Sequence, residues 1–216
     1  MKENFWSKLK NKRIYSIEGN IGAGKSTLIN KIGLSIKDVE FIKEPVGVWE
    51  NLGGENLLKK FYEDPIRWGY SFEAYVMQSK VEALMKGAKT EKPIIMVERS
   101  ILSNKVFFEL SAELGKLDLM EHHMLLNIFE FYTNFLYPKL SGIVYLETPL
   151  EECIRRIKKR NRCGEEEVDR NYLGLVEDKF NQFINNTDIP ILRIDGFYDY
   201  DNALNQINAF LHKQEI

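Results

Sequence analysis

The sequence predicts an α/β fold in which a five-stranded parallel sheet is flanked by helices. Short apolar runs alternate with longer helical patterns from one end of the 216-residue chain to the other. The first apolar run leads straight into a glycine-rich loop and then a helical pattern. Hydrophobic residues make up 44% of the chain and charged residues 29%, which suits a packed core and excludes a disordered chain.

Five apolar runs are the strand candidates. Each is far too short for an independent helix, and each is followed by a turn or by charged residues, as expected of buried strands in a parallel sheet. In chain order they cover residues 13–17, 39–42, 94–97, 143–146 and 189–194.

The helical patterns between the strands carry start signals. Asp64 before Pro65 predicts a cap for a helix that runs through residue 88. Asp118 and Glu121 have the spacing of a capping box, for a helix that ends before Pro138. The signature recurs in Thr148, Pro149 and Glu151, before a basic stretch.

The composition excludes two classes of binding partner. Thirty Lys and Arg against 32 Asp and Glu leave a net charge of −2, so no global basic field is present to hold nucleic acid. The longest apolar stretches fall far below the ~20 residues that span a bilayer, so we expect no membrane partner.

Several features predict a single cytoplasmic domain over residues 1–216. Cys153 and Cys163 cannot form a disulfide framework, which indicates a reducing compartment. Residues 1–12 contain Glu3 and no sustained apolar core, unlike a signal peptide. No repeat, low-complexity tract or Gly/Ser linker divides the chain.

A phosphate-binding loop is the strongest motif. The first strand candidate runs into a GxxxxGK[ST] pattern in the required strand-loop-helix context. Glycines let backbone N–H groups converge on phosphate oxygens, the lysine adds a cation, and the serine hydroxyl can reach Mg²⁺. The predicted nucleotide-binding residues are Gly19, Asn20, Ile21, Gly22, Ala23, Gly24, Lys25, Ser26 and Thr27.

Charged residues at two further strand ends indicate the reaction class. Glu44 follows the second strand, and Glu98 and Arg99 follow the third, so the side chains should meet at the carboxyl edge of the sheet. The guanine-specifying and hydrolysis-coupling motifs of switch GTPases and motor ATPases are missing from the sequence. A small-molecule kinase instead needs a base and a lid of arginines, and both are present.

In these motifs the chain resembles the deoxynucleoside kinases of the deoxycytidine, deoxyguanosine and mitochondrial thymidine kinase type. The resemblance covers nearly the whole chain in order: residues 19–27, 44–49, 67–75, 98–100 and 156–162. It implies a P-loop kinase fold, ATP as phosphate donor, Mg²⁺, a deoxynucleoside acceptor and a homodimer.

The resemblance also implies catalytic roles. Glu44 is expected to accept the proton of the sugar 5′-hydroxyl, while Arg99 holds Glu44 and the reacting phosphoryl oxygens. Lys25 supplies charge to the phosphates, and Ser26 and Glu98 are the expected Mg²⁺ ligands.

A lid at about residues 156–168 is expected to clamp the donor. Arg156, Arg160 and Arg162 match the family's phosphate-binding arginines, with Arg155, Lys158 and Lys159 left to solvent. Glu165 matches the lid glutamate on the sugar 3′-hydroxyl, with Glu166 as the alternative. Asp199 and Tyr200 stand where the family has a loop against the donor adenine; Tyr200 could equally pack on its own helix.

The expected nucleoside pocket has aromatic walls and one departure from the family. The resemblance assigns Tyr62 to the sugar 3′-hydroxyl and Trp49, Phe72 and Phe108 to the base. Glu73 stands where the family has a glutamine that both donates to and accepts from the base, whereas an ionised carboxylate only accepts.

The base hypothesis follows from Glu73 and its neighbours. Guanine offers two adjacent donors to a carboxylate, which favours a purine and deoxyguanosine in particular. Lys80 is expected to pair with Glu73 or to donate to guanine, and Asn104 stands where cytidine- and purine-preferring members carry an aspartate. Broad or pyrimidine specificity remains an alternative, as does, more remotely, a nucleoside monophosphate kinase.

Overall fold

The computed structural model describes residue 9 and residues 11–165 and 168–213. Its sheet contains five parallel strands in the order β2-β3-β1-β4-β5, so the predicted α/β fold is confirmed. The strands are β1 (Arg13–Glu18), β2 (Val39–Ile42), β3 (Ile94–Glu98), β4 (Gly142–Glu147) and β5 (Ile191–Asp195).

The last strand begins two residues later than the sequence predicts. Pro190 has no N–H to give to a ladder, and it contributes only its carbonyl, which accepts from the Ile143 N–H at 2.8 Å. Regular pairing therefore starts at Ile191, opposite Ile143.

Helices fill the connections between the strands. None of the helices in the described ranges is both long and apolar enough to cross a membrane. In chain order they are α1 (Lys25–Ile32), α2 (Val46–Glu50), α3 (Leu57–Glu63), α4 (Pro65–Gly87), α5 (Leu102–Glu113), α6 (Leu119–Phe131), α7 (Leu150–Arg160), α8 (Arg170–Asn185) and α9 (Tyr200–His212).

Helix starts agree with the sequence at two sites and differ at a third. Asp64 accepts from the Arg67 N–H at 3.1 Å, and Asp118 forms both bonds of a capping box with Glu121. The predicted helix α7 is present, but Thr148 is not its cap, because Pro149 occupies the cap position without a side-chain bond. The Thr148 hydroxyl donates instead to the Ala23 carbonyl, at 2.9 Å.

The end of α6 also differs from the prediction of one continuous helix. Residues Tyr132–Leu136 form a π-helical turn, closed by a bond of 2.7 Å from the Tyr137 N–H to the Tyr132 carbonyl. Tyr137 itself is extended, as expected of a residue that precedes a proline.

Apolar clusters lie on both faces of the sheet. Ile14 of β1 belongs to a cluster with Met77 of α4 and Phe180 of α8, whereas Ile17 packs with Leu28 of α1 and with α9. Because side chains alternate along a strand, β1 serves both layers, which places it at the centre of the structure.

The sheet order brings the predicted site together. β2, β3 and β1 are direct neighbours, with Ile42 paired to Val97 and Ile17 paired to Glu98. The segments that follow these strands therefore emerge side by side at the carboxyl edge, where ligands bind in open α/β sheets.

Candidate active site

A cavity of about 670 Å³ opens at this edge of the sheet, in the size range of small-molecule sites. Gly22, Gly24 and Lys25 line one end of it, and Trp49 and Phe72 line the other. The space is therefore polar and glycine-lined at one end and aromatic at the other.

The phosphate loop owes its shape to glycine. Gly22 and Gly24 have φ angles of 77° and 102°, in the left-handed region that other residues avoid. A Cβ atom on Gly22 would lie 2.5 Å from the Cys153 carbonyl oxygen, so α7 packs directly against the loop backbone.

The predicted loop residues divide into two groups. Ile21, Gly22, Gly24, Lys25, Ser26 and Thr27 line the cavity, whereas Gly19, Asn20 and Ala23 support the loop from behind. The Asn20 amide donates to the Leu173 carbonyl at 3.0 Å.

Lys25 lies buried at the base of the loop. Its ammonium group donates to the carbonyls of Gly19 and Asn20, at 3.0 and 2.7 Å. Burial, with the nearby positive charge of Arg99, lowers the pKa of Lys25 to about 7. An incoming phosphate would restore the charged form of the amine.

An acid-arginine pair stands next to the loop. Arg99 donates to the Glu44 carboxylate at 3.0 Å, and Lys80 lies 3.4 Å from the other carboxylate oxygen. Burial works to raise the pKa of Glu44, but the charges of Arg99, Lys80 and Lys25 outweigh it and hold the pKa below its usual range. Glu44 is therefore ionised at neutral pH.

Arg99 reaches this position from a left-handed backbone, at φ 55°. The residues around it fix that conformation: the Arg99 N–H bonds the Ile17 carbonyl at 3.0 Å. The next residue, Ser100, donates its N–H and its hydroxyl to one oxygen of Glu18, at 2.8 and 2.7 Å. Glu18 is fully buried at the end of β1.

The sequence motifs assign no role to Glu18, although a carboxylate that ends an apolar strand beside the phosphate loop is a readable signal. We name the bonds from Ser100 to Glu18 the β1–β3 clamp. The clamp joins the loop after β3 to the phosphate loop's own strand.

The two predicted metal ligands are in contact with each other. The Ser26 hydroxyl donates to the Glu98 carboxylate, and both side chains line the cavity. These are oxygen donors of the kind that Mg²⁺ prefers, and they line the same cavity as the acid-arginine pair.

Two of the three predicted lid arginines are bound to the same carboxylate. Arg160 makes a two-pronged contact with Glu165, at 2.6 and 3.0 Å, and Arg162 approaches the same group at 3.4 Å. Arg162 also pairs with Glu50 at 3.2 Å. Glu166, the alternative to Glu165, lies outside the described residues.

Arg156 ties the phosphate loop to the loop after β5. It donates to the carbonyls of Ala23 at 2.6 Å and Gly196 at 2.8 Å, while Glu152 accepts at 2.6 Å. Lys159, expected to face solvent, lines the cavity as well.

The two predicted adenine contacts lie away from the cavity lining. Asp199 caps α9, and the Tyr200 hydroxyl donates to the Lys31 carbonyl at 3.0 Å. The Tyr200 hydroxyl thus contacts Lys31 of α1 and Ser35 just after it, and not its own helix as the alternative interpretation predicts. The exposed aromatic in this loop is Phe197, whose ring lies 6.0 Å from the Arg156 guanidinium.

The aromatic end of the cavity contains most of the predicted wall. Trp49 and Phe72 meet edge to face at 5.9 Å, and the Trp49 N–H donates to the Ser79 hydroxyl at 2.8 Å. Tyr62 also lines the cavity, and burial together with the nearby charge of Glu165 raises its pKa.

Phe108 does not belong to this wall. It is fully buried in the core, where its ring contacts Phe129 of α6. Its neighbour Phe107 lines the cavity instead, 5.1 Å from the Arg99 guanidinium. One residue turns a helix by about 100°, so a sequence match off by one position exchanges a core residue for a wall residue.

A buried polar trio lies beside the aromatic wall. Lys80 donates to the Asn104 side-chain oxygen at 2.9 Å, and the Asn104 amide donates to Glu73 at 3.4 Å. Of the two contacts predicted for Lys80, the direct pairing with Glu73 is therefore wrong, since Lys80 pairs with Glu44; donation to guanine stays a prediction. Burial raises the pKa of Glu73 to about 7, against the charge of Lys80 and the Asn104 bond.

The sheet order, the glycine-rich loop and the adjacent basic lid define a P-loop protein of the phosphotransferase class. The family described as deoxynucleoside kinase matches residues 15–215. The chain therefore belongs to the deoxynucleoside kinase family, and the prediction of a deoxynucleoside kinase is confirmed.

Named relatives agree with this family. A protein of Fowlpox virus (strain NVSL) named "Probable deoxycytidine kinase" is 33% identical over 95% of this chain and 88% of its own length. Deoxycytidine kinase 2 of Gallus gallus is 33% identical over 94% of this chain and 91% of its own. Mitochondrial deoxyguanosine kinase of Xenopus laevis is 26% identical over 87% and 82%.

Proposed function

We propose that this protein transfers the γ-phosphoryl group of ATP to the 5′-hydroxyl of a deoxynucleoside, which yields the 5′-monophosphate for nucleotide salvage. The observation that carries the proposal is the ionised Glu44, held by Arg99 at 3.0 Å in the same cavity as the phosphate loop. A carboxylate in that position meets a hydroxyl that enters from the aromatic end.

The phosphate loop and the lid bind the phosphate donor, ATP. Backbone N–H groups around Gly22 and Gly24 receive phosphate oxygens, and Lys25 exchanges its carbonyl contacts for a phosphate. Arg156, Arg160 and Arg162 supply charge from the lid side of the cavity.

Glu44 and Arg99 serve the acceptor. Glu44 orients the 5′-hydroxyl and takes its proton as the oxygen attacks phosphorus. A lowered pKa makes Glu44 a weak base, which suits phosphoryl transfer because the loose transition state demands little proton removal early in the reaction. Arg99 steadies the carboxylate and faces the charge that develops on the phosphoryl oxygens.

A divalent cation fits between these groups. Ser26 and Glu98 present a hydroxyl and a carboxylate that already contact each other, so Mg²⁺ held by them with the phosphates would replace one hydrogen bond. The cation, when bound, would neutralise phosphate charge.

The sugar and adenine sites are assigned from the cavity lining. Tyr62 and Glu165 flank the sugar end, and the 3′-hydroxyl would enter beside the contact of Glu165 with the lid arginines. For the adenine, Phe197 is a better candidate than Tyr200, because its side chain is 64% exposed and lies against Arg156.

The expected base specificity depends on the protonation state of Glu73. Deoxyguanosine is favoured if Glu73 is ionised, because guanine presents two adjacent donors to a carboxylate. Deoxycytidine or a broad range is favoured if Glu73 is neutral. The Fowlpox virus and Gallus gallus relatives are named deoxycytidine kinases, and the Xenopus laevis relative is named a deoxyguanosine kinase.

We also propose a homodimer built on α6. Met120, Met124 and Phe131 of α6 are 67%, 43% and 53% exposed, and their spacing of four and seven residues aligns them on one face. Phe135, in the π-helical turn that follows, is 68% exposed, and its ring centroid lies 5.6 Å from that of Phe131. A face of this kind supports pairing with a second copy. The two free cysteines support a reducing, cytoplasmic setting.

The test of the kinase proposal is an ADP-release assay with MgATP and either a deoxynucleoside or its monophosphate as acceptor. Glu44→Gln should lower kcat by about 10²- to 10⁴-fold with little change in nucleoside affinity, since it removes the base and keeps the shape. Glu63→Gln, at an exposed carboxylate, is the matched control. Turnover of monophosphates alone, or a Glu44→Gln variant of normal rate, would overturn the proposal.

A further inference from the structure

Glu73 is a buried carboxyl group that no cation contacts among the residues the structure describes. Its side chain lines the aromatic end of the cavity, yet the residue is only 3% exposed. The Asn104 amide bonds one carboxyl oxygen at 3.4 Å, and in the described ranges no other residue hydrogen-bonds the group. The second oxygen is therefore available to a ligand.

The nearest cation, the Lys80 ammonium group, contacts other side chains. The Lys80 ammonium donates to the Asn104 oxygen at 2.9 Å and lies 3.4 Å from Glu44. Since an ammonium group can only donate, this contact orients the Asn104 amide with its oxygen toward Lys80 and its NH₂ toward Glu73. Lys80 thus neutralises the catalytic carboxylate and leaves Glu73 with a neutral partner.

The groups that face Glu73 balance its two protonation states. Burial raises its pKa to about 7, and the negative charge of Glu44, in the loop after β2, adds to this effect. Lys80 of α4 and the bond from Asn104 of α5 oppose it. Tyr172 of α8 is neutral, because burial raises its own pKa.

Each state of the carboxyl group fits a different base edge. The ionised form accepts two hydrogen bonds, which matches the adjacent N1–H and amino group of guanine. The neutral form donates one bond and accepts one, which matches the N3 atom and amino group of cytosine. The N3 lone pair of cytosine facing an ionised carboxylate would be repelled.

We propose that a proton on Glu73 selects the base: the neutral carboxyl group, oriented by the Lys80–Asn104 pair, admits cytosine, and the ionised group favours guanine. The inference rests on the proposed nucleoside kinase function and assigns its specificity to a single titration. It replaces a fixed purine preference with one that depends on pH.

Linkage gives the direction of the effect. A ligand that prefers the neutral form takes up a proton when it binds near pH 7, and a ligand that prefers the ionised form releases one. Deoxycytidine should therefore lose relative rate as pH rises through the titration of Glu73, and deoxyguanosine should gain it.

The experiment compares the two nucleosides in competition, with MgATP, between about pH 6 and about pH 8. The kcat/KM ratio of deoxycytidine to deoxyguanosine should fall at least about tenfold over this range, because the two forms of Glu73 exchange dominance. Titration of Lys25 and Glu44 affects both nucleosides and cancels in the ratio.

Two variants isolate the residue. Glu73→Gln keeps the shape and permanently offers one donor and one acceptor, so its ratio should favour deoxycytidine and remain flat with pH. Glu82→Gln removes an exposed carboxylate from the same helix and should retain the wild-type pH dependence. A pH dependence that persists in Glu73→Gln would overturn the inference.

Calorimetry on the unmodified protein removes any dependence on the folding of a variant. Titration of each nucleoside at pH 7 in two buffers of different ionisation enthalpy should show proton uptake with deoxycytidine and release with deoxyguanosine. Turnover of both nucleosides with a flat ratio and no proton exchange would refute the role of Glu73 and leave the kinase intact. Absence of turnover with any deoxynucleoside would instead refute the proposed function.

Discussion

The two ends of the active-site cavity are built in different ways. At the proposed phosphate end, main-chain geometry shapes the site: glycine conformations and the start of α1 form the loop, and Lys25 is held by main-chain carbonyls. At the nucleoside end, side chains from separate helices are arranged by one another, as in the chain from Lys80 through Asn104 to Glu73. We therefore expect substitutions at the first end to disrupt the loop, and substitutions at the second end to alter specificity without loss of the fold.

The comparison predicts a severe effect of a small change at the phosphate end. Gly22→Ala should destabilise the protein by about 2–4 kcal/mol and abolish stabilisation by ATP, because its Cβ would lie 2.5 Å from a main-chain oxygen at a positive φ. Urea unfolding with and without MgATP measures both effects.

Gly174→Ala is the control for that prediction. This glycine lies inside α8, with its nearest neighbour 4.0 Å from the added Cβ. The substitution should be neutral or stabilise the protein by up to about 1 kcal/mol. Equal losses of unfolding free energy in Gly22→Ala and Gly174→Ala would show that backbone packing at the phosphate loop is not what distinguishes the phosphate end of the cavity.

A pH titration sharpens the contrast between the ends. The pKa of Lys25 is about 7 in the free protein, lowered by burial and Arg99. Because phosphate favours the protonated amine, MgATP affinity should fall by up to about tenfold per pH unit above that value.

Binding of MgATP between about pH 7 and about pH 9, followed by calorimetry, checks this dependence. The same change should apply with either nucleoside present, unlike the base-dependent effect of Glu73. Lys25→Met should bind MgATP weakly and with little pH dependence; a slope equal to that of the wild type in this variant would assign the titration to another group.

The smallest expected effect lies in the aromatic wall. Ser79→Ala leaves the buried Trp49 N–H without its acceptor at 2.8 Å, which should cost about 1 kcal/mol and raise the nucleoside KM a few-fold at unchanged kcat. Steady-state kinetics measure this change, with Ser35→Ala, at an exposed hydroxyl, as control. A large fall in kcat would mean that the wall also orders the reacting groups.

The same difference between the ends governs what the sequence could predict. The phosphate loop is a local pattern, and Glu44 and Glu98 follow from the rule that ligands collect at strand ends, so these side chains line the cavity as expected. Phe108 is wrongly predicted to line the aromatic wall of the cavity, because each residue along a helix faces a different direction. Which residue of α5 faces the cavity depends on how α5 packs against α6.

In two other places the observed contact differs from the predicted one because a residue from another part of the chain takes the side chain. Thr148 has the spacing of a helix cap, but the Ala23 carbonyl takes its hydroxyl. Lys80 has the helical spacing to reach Glu73, but Glu44 arrives from the loop after β2 and is the stronger partner. Sequence spacing describes one element at a time, and these contacts join elements that are distant along the chain.

The β1–β3 clamp has a consequence for engineering. Arg99 keeps its unusual backbone angle because Ser100 is anchored to a carboxylate that belongs to another strand, Glu18. A designer who grafted the Glu44–Arg99 pair onto a different parallel scaffold would have to transplant the last residue of the central strand with it. The unit that can be moved between scaffolds is therefore three adjacent strand ends, and not a contiguous peptide.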